Sequence, residues 1–199
     1  MNQPPPKLTT TFLAIEIPEE IRDRLEKIQK KLNKVNHQVA WELPEKLHVT
    51  FVYFGKISEI DTNTMVTVLQ NLASKTQPIS SSVGYLGYFF KRHGDGIVWI
   101  AVNTKGILED FYKQIVKPLN QLGFSLSDKK LIAHITLGRL KKVKGKQQMK
   151  ILDKLACAEI PGIDNIGNFM IDKVTVFSSH FVKEMNTTEF KVVKEVCFS

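Results

Sequence analysis

An α+β fold built from two similar halves is the class this sequence predicts, and three observations carry it. Stretches with the two-residue alternation of strands interleave with stretches of helical spacing, in the order β-α-β-β-α-β-β-α-β-α-β-β. One strand pattern occurs twice. Leu47–Gly55 (LHVTFVYFG) and Leu131–Leu140 (LIAHITLGRL) both run apolar, His, β-branched, Thr, apolar, and both strands are expected to end in glycine, Gly55 and Gly138. No low-complexity stretch, and no linker long enough to part independent domains, interrupts the 199 residues. Residues 1–199 are therefore expected to form a single domain of two closely packed lobes.

The elements follow in order. Met1–Lys7, with Pro4-Pro5-Pro6, reads as a frayed lead-in. Thr10–Ile17 is rich in β-branched and aromatic residues and predicts a strand. Pro18-Glu19-Glu20 opens a helix, because proline suits the first turn and acids suit the positive end of the helix dipole. Ile21, Leu25, Ile28 and Leu32 carry that helix to about Asn36. His37–Trp41 is a short strand, Pro44 a turn, and Leu47–Gly55 the first His–Thr strand, closed by Gly55. Asp61 or Thr62 is the expected cap of a second helix with Val66, Leu69 and Leu72 facing inward, ending before Pro78.

Ile79–Phe90 alternates as a strand with bends at Gly84 and Gly87. Lys91–Gly96 is a hairpin loop closed by Asp95-Gly96, and Ile97–Val102 is the returning strand. Leu108, Phe111, Ile115, Leu119 and Leu122 mark a third helix, stopped by Gly123 and open to a kink at Pro118. The second His–Thr strand comes next. A basic connection, Lys141–Lys150, leads to a short helix around Met149–Ala156. Phe169–Phe181 and Glu189–Phe198 complete the chain as a strand pair around Lys183–Thr188.

Composition narrows the functional classes. A hydrophobic share of 43% and a charged share of 24% are those of an ordinary soluble protein. The net charge of +8 favours a polyanionic partner such as nucleic acid, although it also serves solubility. Cys157 and Cys197 match no metal spacing and suggest no disulfide framework. No apolar run approaches membrane-spanning length, and MNQPPPKLTT lacks a signal-peptide core. The expectation is a cytoplasmic monomer that contacts no membrane.

The chemistry lies in the repeated strand. Side chains alternate faces along a strand, so His48 and Thr50 share one face, as do His134 and Thr136. Leu47, Val49, Phe51, Ile135 and Leu137 fall on the other. A single H-x-T is a weak motif, and one histidine on a strand is usually structural. Two copies in matched strands form a pair worth reading together. Imidazole exchanges protons near neutral pH, so two of them flanking one centre can serve as acid and base. Threonine hydroxyls can hydrogen-bond the oxygens of an anionic transition state. The set suits a phosphodiester, with base, phosphorus and acid roughly in line. Two histidines without an accompanying carboxylate or thiol are a thin ligand set for Zn²⁺, so neither a metal nor another cofactor is expected.

The paired motifs LHVTFVYFG and AHITLGR resemble those of the 2H phosphoesterase superfamily, in its RNA 2′,3′-cyclic phosphodiesterase (2′-5′ RNA ligase) branch. TFLAIEIPEE, WELPEKLHVTFVYFG, GIVWIAV and VTVFSSHF fit the same branch, so the resemblance spans most of the chain. It implies a bilobal α+β fold, with two antiparallel-rich sheets lining a central cleft and helices outside. It also implies opening of 2′,3′-cyclic phosphate ends of RNA to 2′-phosphates, with 2′-5′ joining as the reverse reaction. In that scheme His48 is the general acid, His134 the general base, and Thr50 and Thr136 hold phosphate oxygens. Arg139 matches a phosphate-binding arginine after the second motif. Strict alternation turns Arg139 away from His134, so this role requires a twist or bulge at Gly138. Family members often carry Arg where Thr11 stands and Pro where Ala133 stands. The first departure removes an N-terminal phosphate contact; the second alters only the approach to the strand.

Tyr53 or Phe54 is a candidate to stack a base, with core packing expected for at least one. Trp41 and Trp99 are expected in the core. Lys91, Arg92 and His93 at the hairpin tip and the Lys141–Lys146 run are read as solvated basic segments, and His37 and His180 receive no role. Two other functions fit the same residues: a non-catalytic RNA- or nucleotide-binding module, and a 2H enzyme acting on a small cyclic nucleotide.

Overall fold

The computed structural model describes residues 6–35, 38–90, 95–140, 143, 146–184 and 187–199. The α+β class is observed. One curled nine-stranded sheet carries helices on its back. The strands are β1 (Thr9–Glu16), β2 (Ala40–Trp41), β3 (His48–Ile57), β4 (Ile79–Phe90), β5 (Gly96–Asn103), β6 (His134–Leu140), β7 (Gly167–Ile171), β8 (Lys173–Val182) and β9 (Thr187–Cys197). The helices are α1 (Glu19–Val35), α2 (Glu59–Ala73), α3 (Ile107–Gln121) and α4 (Lys146–Ala156). None is long and apolar enough to cross a membrane among the described residues.

Strand order is β7-β4-β5-β6-β3-β1-β8-β9, with β2 pairing β6. The two expected sheets are thus the two halves of one sheet. Each half is a set of long antiparallel ladders, and they meet where β3 pairs β6 through Val49 and Ile135. Both of these side chains are fully buried on the back of the sheet.

The helices are traded between the halves. Helix α1 follows β1 but covers the other half. Ile21 would collide with a Cβ on Gly167, and the Gln29 amide donates to the Leu137 carbonyl (2.8 Å). Helix α3 follows β5 but covers the first half, with Phe111 stacked on Phe51 and edge-on to Phe198. The apolar spacing that predicts each helix therefore reports which residues are inward, not which sheet they meet.

Several boundaries differ from the sequence reading, each for a local reason. Helix α2 is capped by Ser58, not by Asp61 or Thr62. The Ser58 hydroxyl accepts the Asp61 N–H (3.1 Å), and the Asp61 carboxylate accepts the Ser58 N–H (3.2 Å), a reciprocal capping box. Gly55 does not close β3; the strand runs through it at φ +72°, a conformation other residues adopt at a cost. Gly138 lies inside β6 rather than at its end, because a Cβ there would stand 2.5 Å from Val39 Cγ1 and 3.0 Å from the Trp41 ring. Strand β2 lies that close. The apolar stretch expected as one strand over Phe169–Phe181 is two, β7 on β4 and β8 on β1, so the chain changes halves at Asp172. Helix α4 starts at Lys146, before the expected Met149, and α3 continues through Pro118. Pro4-Pro5, His37, the Lys91-Arg92-His93 tip and most of the Lys141–Lys146 run lie outside the described residues.

Candidate active site

The site lies across the seam. On β3, His48 is half-buried, Val49 buried, Thr50 exposed, Phe51 and Val52 both buried, and Tyr53 exposed. On β6, His134 is half-buried, Ile135 buried, Thr136 half-buried, Leu137 and Gly138 both buried, and Arg139 exposed. The patterns match at every position but the threonines, and backbone pairing explains both. The β1–β3 register skips Phe51, and the β5–β6 register skips Leu137. Each motif therefore carries a bulge one residue after its threonine. A bulge resets the alternation of faces. It returns Arg139 to the side of His134 and Tyr53 to the side of His48.

The Val49–Ile135 pair fixes the relation between motifs. Continuing this antiparallel register by one step each way sets His48 against Thr136 and Thr50 against His134. The seam thus works as a local twofold axis that exchanges the two His–Thr pairs. In agreement, Thr50 and His134 line the same cleft, and the charge of His134 is one of those acting on His48.

Both imidazoles are held in the same way. His48 Nδ1 bonds the Lys46 carbonyl (2.7 Å), and His134 Nδ1 bonds the Ile132 carbonyl (2.8 Å). A carbonyl only accepts, so each Nδ1 carries the proton and each Nε2 is left to exchange one. His48 Nε2 lies 3.0 Å from Thr50 Oγ1.

The surroundings differ. His48 packs against Phe12 (5.4 Å between ring centroids) and edge-on to Phe190 (5.4 Å). Burial among these rings holds its pKa below the ordinary 6.5, because desolvation disfavours the charged form. The Lys46 carbonyl and the nearby Glu42 carboxylate act against that shift, while Arg139 and His134 reinforce it. His134 meets the edge of Trp99 at 5.8 Å.

Trp99 is therefore not core, as the sequence suggested. It pairs with Thr136 on the cleft face of the sheet, and it fits because its neighbour Gly87 has no side chain: a Cβ there would be 2.3 Å from the indole. Trp41 is half-buried over Gly138, its indole N–H donating to Asn33 Oδ1 (3.0 Å). Tyr53 is 64% exposed, whereas Phe54 packs edge-on to Phe124, the core packing expected of at least one of the two. Thr11 is buried and lines a separate groove with Glu59 and Lys191. His180 pairs with Glu189 at 3.2 Å.

Glu42 was not legible in the sequence. Its carboxylate accepts from Arg139 Nε at 2.7 Å and so holds the guanidinium at the site. The Glu42 backbone is held in turn. Gln29 is 5% exposed, and its side-chain amide donates to both the Glu42 carbonyl (2.9 Å) and the Leu137 carbonyl (2.8 Å). One buried amide thereby ties the arm carrying Glu42 to the bulge that aims Arg139. Among the described residues, no group of three or more His, Cys, Asp or Glu is placed to share a metal ion.

The chain is similar to known proteins. The family model described as "AKAP7 2'5' RNA ligase-like domain" matches residues 9–198. The chain is 31% identical over 139 residues to an RNA 2',3'-cyclic phosphodiesterase of Methanocaldococcus jannaschii, covering 70% of this chain and 76% of that one. It is 27% identical over 169 residues to the protein of that name from Thermotoga maritima, covering 85% and 86%. Among solved structures, LigT of E. coli in its apo form superposes with a TM-score of 0.69 at 18% identity, covering 97% of this chain and 99% of that chain.

Proposed function

The chain belongs to the AKAP7 2'5' RNA ligase-like family of 2H phosphoesterases, and from that premise we propose that it opens 2′,3′-cyclic phosphates at RNA ends, leaving a 2′-phosphate. The observation that carries this reading is the matched pair of imidazoles. The two lie on either side of the Val49–Ile135 pair, and each is locked by the same Nδ1–carbonyl bond, which leaves Nε2 to exchange a proton. A module that only binds RNA has no need of two proton-exchanging groups held in one tautomer.

The reaction assigns each residue a task. His134 Nε2 takes a proton from water, whose oxygen forms a bond to phosphorus. The bond from phosphorus to O3′ breaks, and His48 gives O3′ its proton. Thr50, Thr136 and Arg139 donate to the non-bridging oxygens as charge builds on them. Tyr53 stacks the terminal base. The step needs no metal, so activity should persist in EDTA. Run in reverse on two RNA ends, the same groups would form a 2′-5′ linkage.

His48 is largely neutral at pH 7 in the free protein, given its lowered pKa. As the acid it must take up its proton with the substrate, whose phosphate charge favours the imidazolium. The lowered pKa also favours a second division, with His48 as base and His134 as acid. A substrate with sulfur in place of O3′ separates the two, since a thiolate departs without protonation. Opening of that substrate should be nearly normal in the variant lacking the acid and slow in the variant lacking the base. Rescue of His48→Ala supports the first division, rescue of His134→Ala the second, and rescue of neither removes acid catalysis from the scheme.

A further inference from the structure

The cleft that Thr50 and His134 line does not end at these two residues. Beyond Thr50 and His134 it is a trough of about 480 Å³ lined by Phe51, Val52, Tyr53, Ile132, Lys129 and Lys130. Its size, its surface and its charge each restrict what it can hold. The volume lies in the range of pockets that enclose one small ligand. Tyr53 and Ile132 are 64% and 65% exposed. Large exposed side chains with apolar surface lining one cleft in water are suited to cover a flat apolar body, and a nucleobase is one.

The rim is basic and held in place. Tyr112 donates its hydroxyl to the Ser127 carbonyl (2.5 Å), and the Lys129 N–H bonds Ser127 Oγ (3.3 Å). Asp128, the acid between these residues, lies near the Tyr112 phenol. No ion pair is recorded for Lys129 or Lys130 among the described residues.

We propose that this trough is a polymer subsite. The terminal nucleoside sits between Tyr53 and Ile132 with its cyclic phosphate at the histidines. Lys129 and Lys130 then hold the phosphodiester that joins this nucleoside to the preceding nucleotide. This rests on the proposed opening of cyclic phosphates, and it names the substrate as an RNA 3′ end of at least two nucleotides. A nucleoside 2′,3′-cyclic phosphate reaches the histidines but has no 5′ phosphodiester for the lysines.

The test is the ratio of kcat/KM for a dinucleotide ending in a 2′,3′-cyclic phosphate to that for the corresponding nucleoside 2′,3′-cyclic phosphate. In the wild type the ratio should exceed about ten, the worth of a charge-assisted contact. It should fall towards one in Lys129→Ala/Lys130→Ala and be regained in Lys129→Arg/Lys130→Arg. The apparent affinity for the dinucleotide should also lose salt dependence in the alanine variant, by a log–log slope of about 0.7 per contact removed. A wild-type ratio near one, or a ratio the alanine variant leaves intact, overturns the subsite and spares the hydrolytic reading. Failure to open either substrate overturns both.

Discussion

Set side by side, the β3 and β6 motifs share a backbone and differ in what surrounds it. Each has a histidine clamped to a carbonyl two residues back, a threonine on the same face, a bulge after the threonine, and an exposed side chain beyond. Around that common device, β3 supplies an aromatic wall of Phe12 and Phe190 and an exposed Tyr53. The β6 motif supplies Trp99 and an Arg139 held by Glu42. The lesson is that backbone geometry was kept twofold while the surroundings of the two imidazoles were not.

The largest effect should come from removing either imidazole. His48→Ala and His134→Ala should each lower kcat by about a hundred- to ten-thousand-fold on a 2′,3′-cyclic phosphate end, and the double variant should lose less than the product of the two. Losses confined to one motif would reduce the other to scaffold. Removing one hydroxyl is next. Thr50→Val and Thr136→Val should each cost roughly ten- to a thousand-fold in kcat with little change in KM. A change in KM alone would make the hydroxyls ground-state contacts.

A smaller change sharpens the role of the β6 bulge. Gly138→Ala puts a Cβ 2.5 Å from Val39 Cγ1, so β2 must retreat and carry Glu42 away from Arg139. The expected cost is about 1–3 kcal/mol of stability and a raised KM. Normal KM at reduced stability would mean that Arg139 does not depend on the β2 arm.

The smallest effect concerns pH. The folded-state pKa of His48 lies below its unfolded value near 6.5, so below that value the unfolded chain binds more protons. The stability this contributes is complete above about pH 6.5 and is lost as pH falls through the folded pKa. Urea midpoints at pH 7.5 and pH 5 should therefore differ more for the wild type than for His48→Gln. Equal differences would deny the environment a role in setting His48.

The pair His48–Thr50, its partner His134–Thr136 and the α+β order were all legible, because alternation and helical spacing are written locally. Gly138 was also visible as a residue, but its reason was not. It serves β2, which lies nearly a hundred positions upstream. Arg139 could be aligned with a family position, yet its face depended on a bulge that no periodicity encodes. Glu42 and Gln29 were invisible because each acts through a backbone or side chain far away in sequence. Trp99 read as core because bulk predicts burial, whereas the space for it on the cleft face is set by Gly87 on the neighbouring strand.

The traded helices and the late strands have a consequence for synthesis. Strand β1 sits between β3 and β8, and the first half is completed only by β8 and β9, from residues 173 to 197. Its back is closed by α3, which arrives after two strands of the second half. A chain emerging from the ribosome therefore exposes the unfinished edge of β1 until nearly all of it has been made. The N-terminal motif cannot mature first and wait for its counterpart. The half that holds His48 is therefore completed after the half that holds His134, and a truncation within β8 removes Phe190 from the aromatic wall around His48.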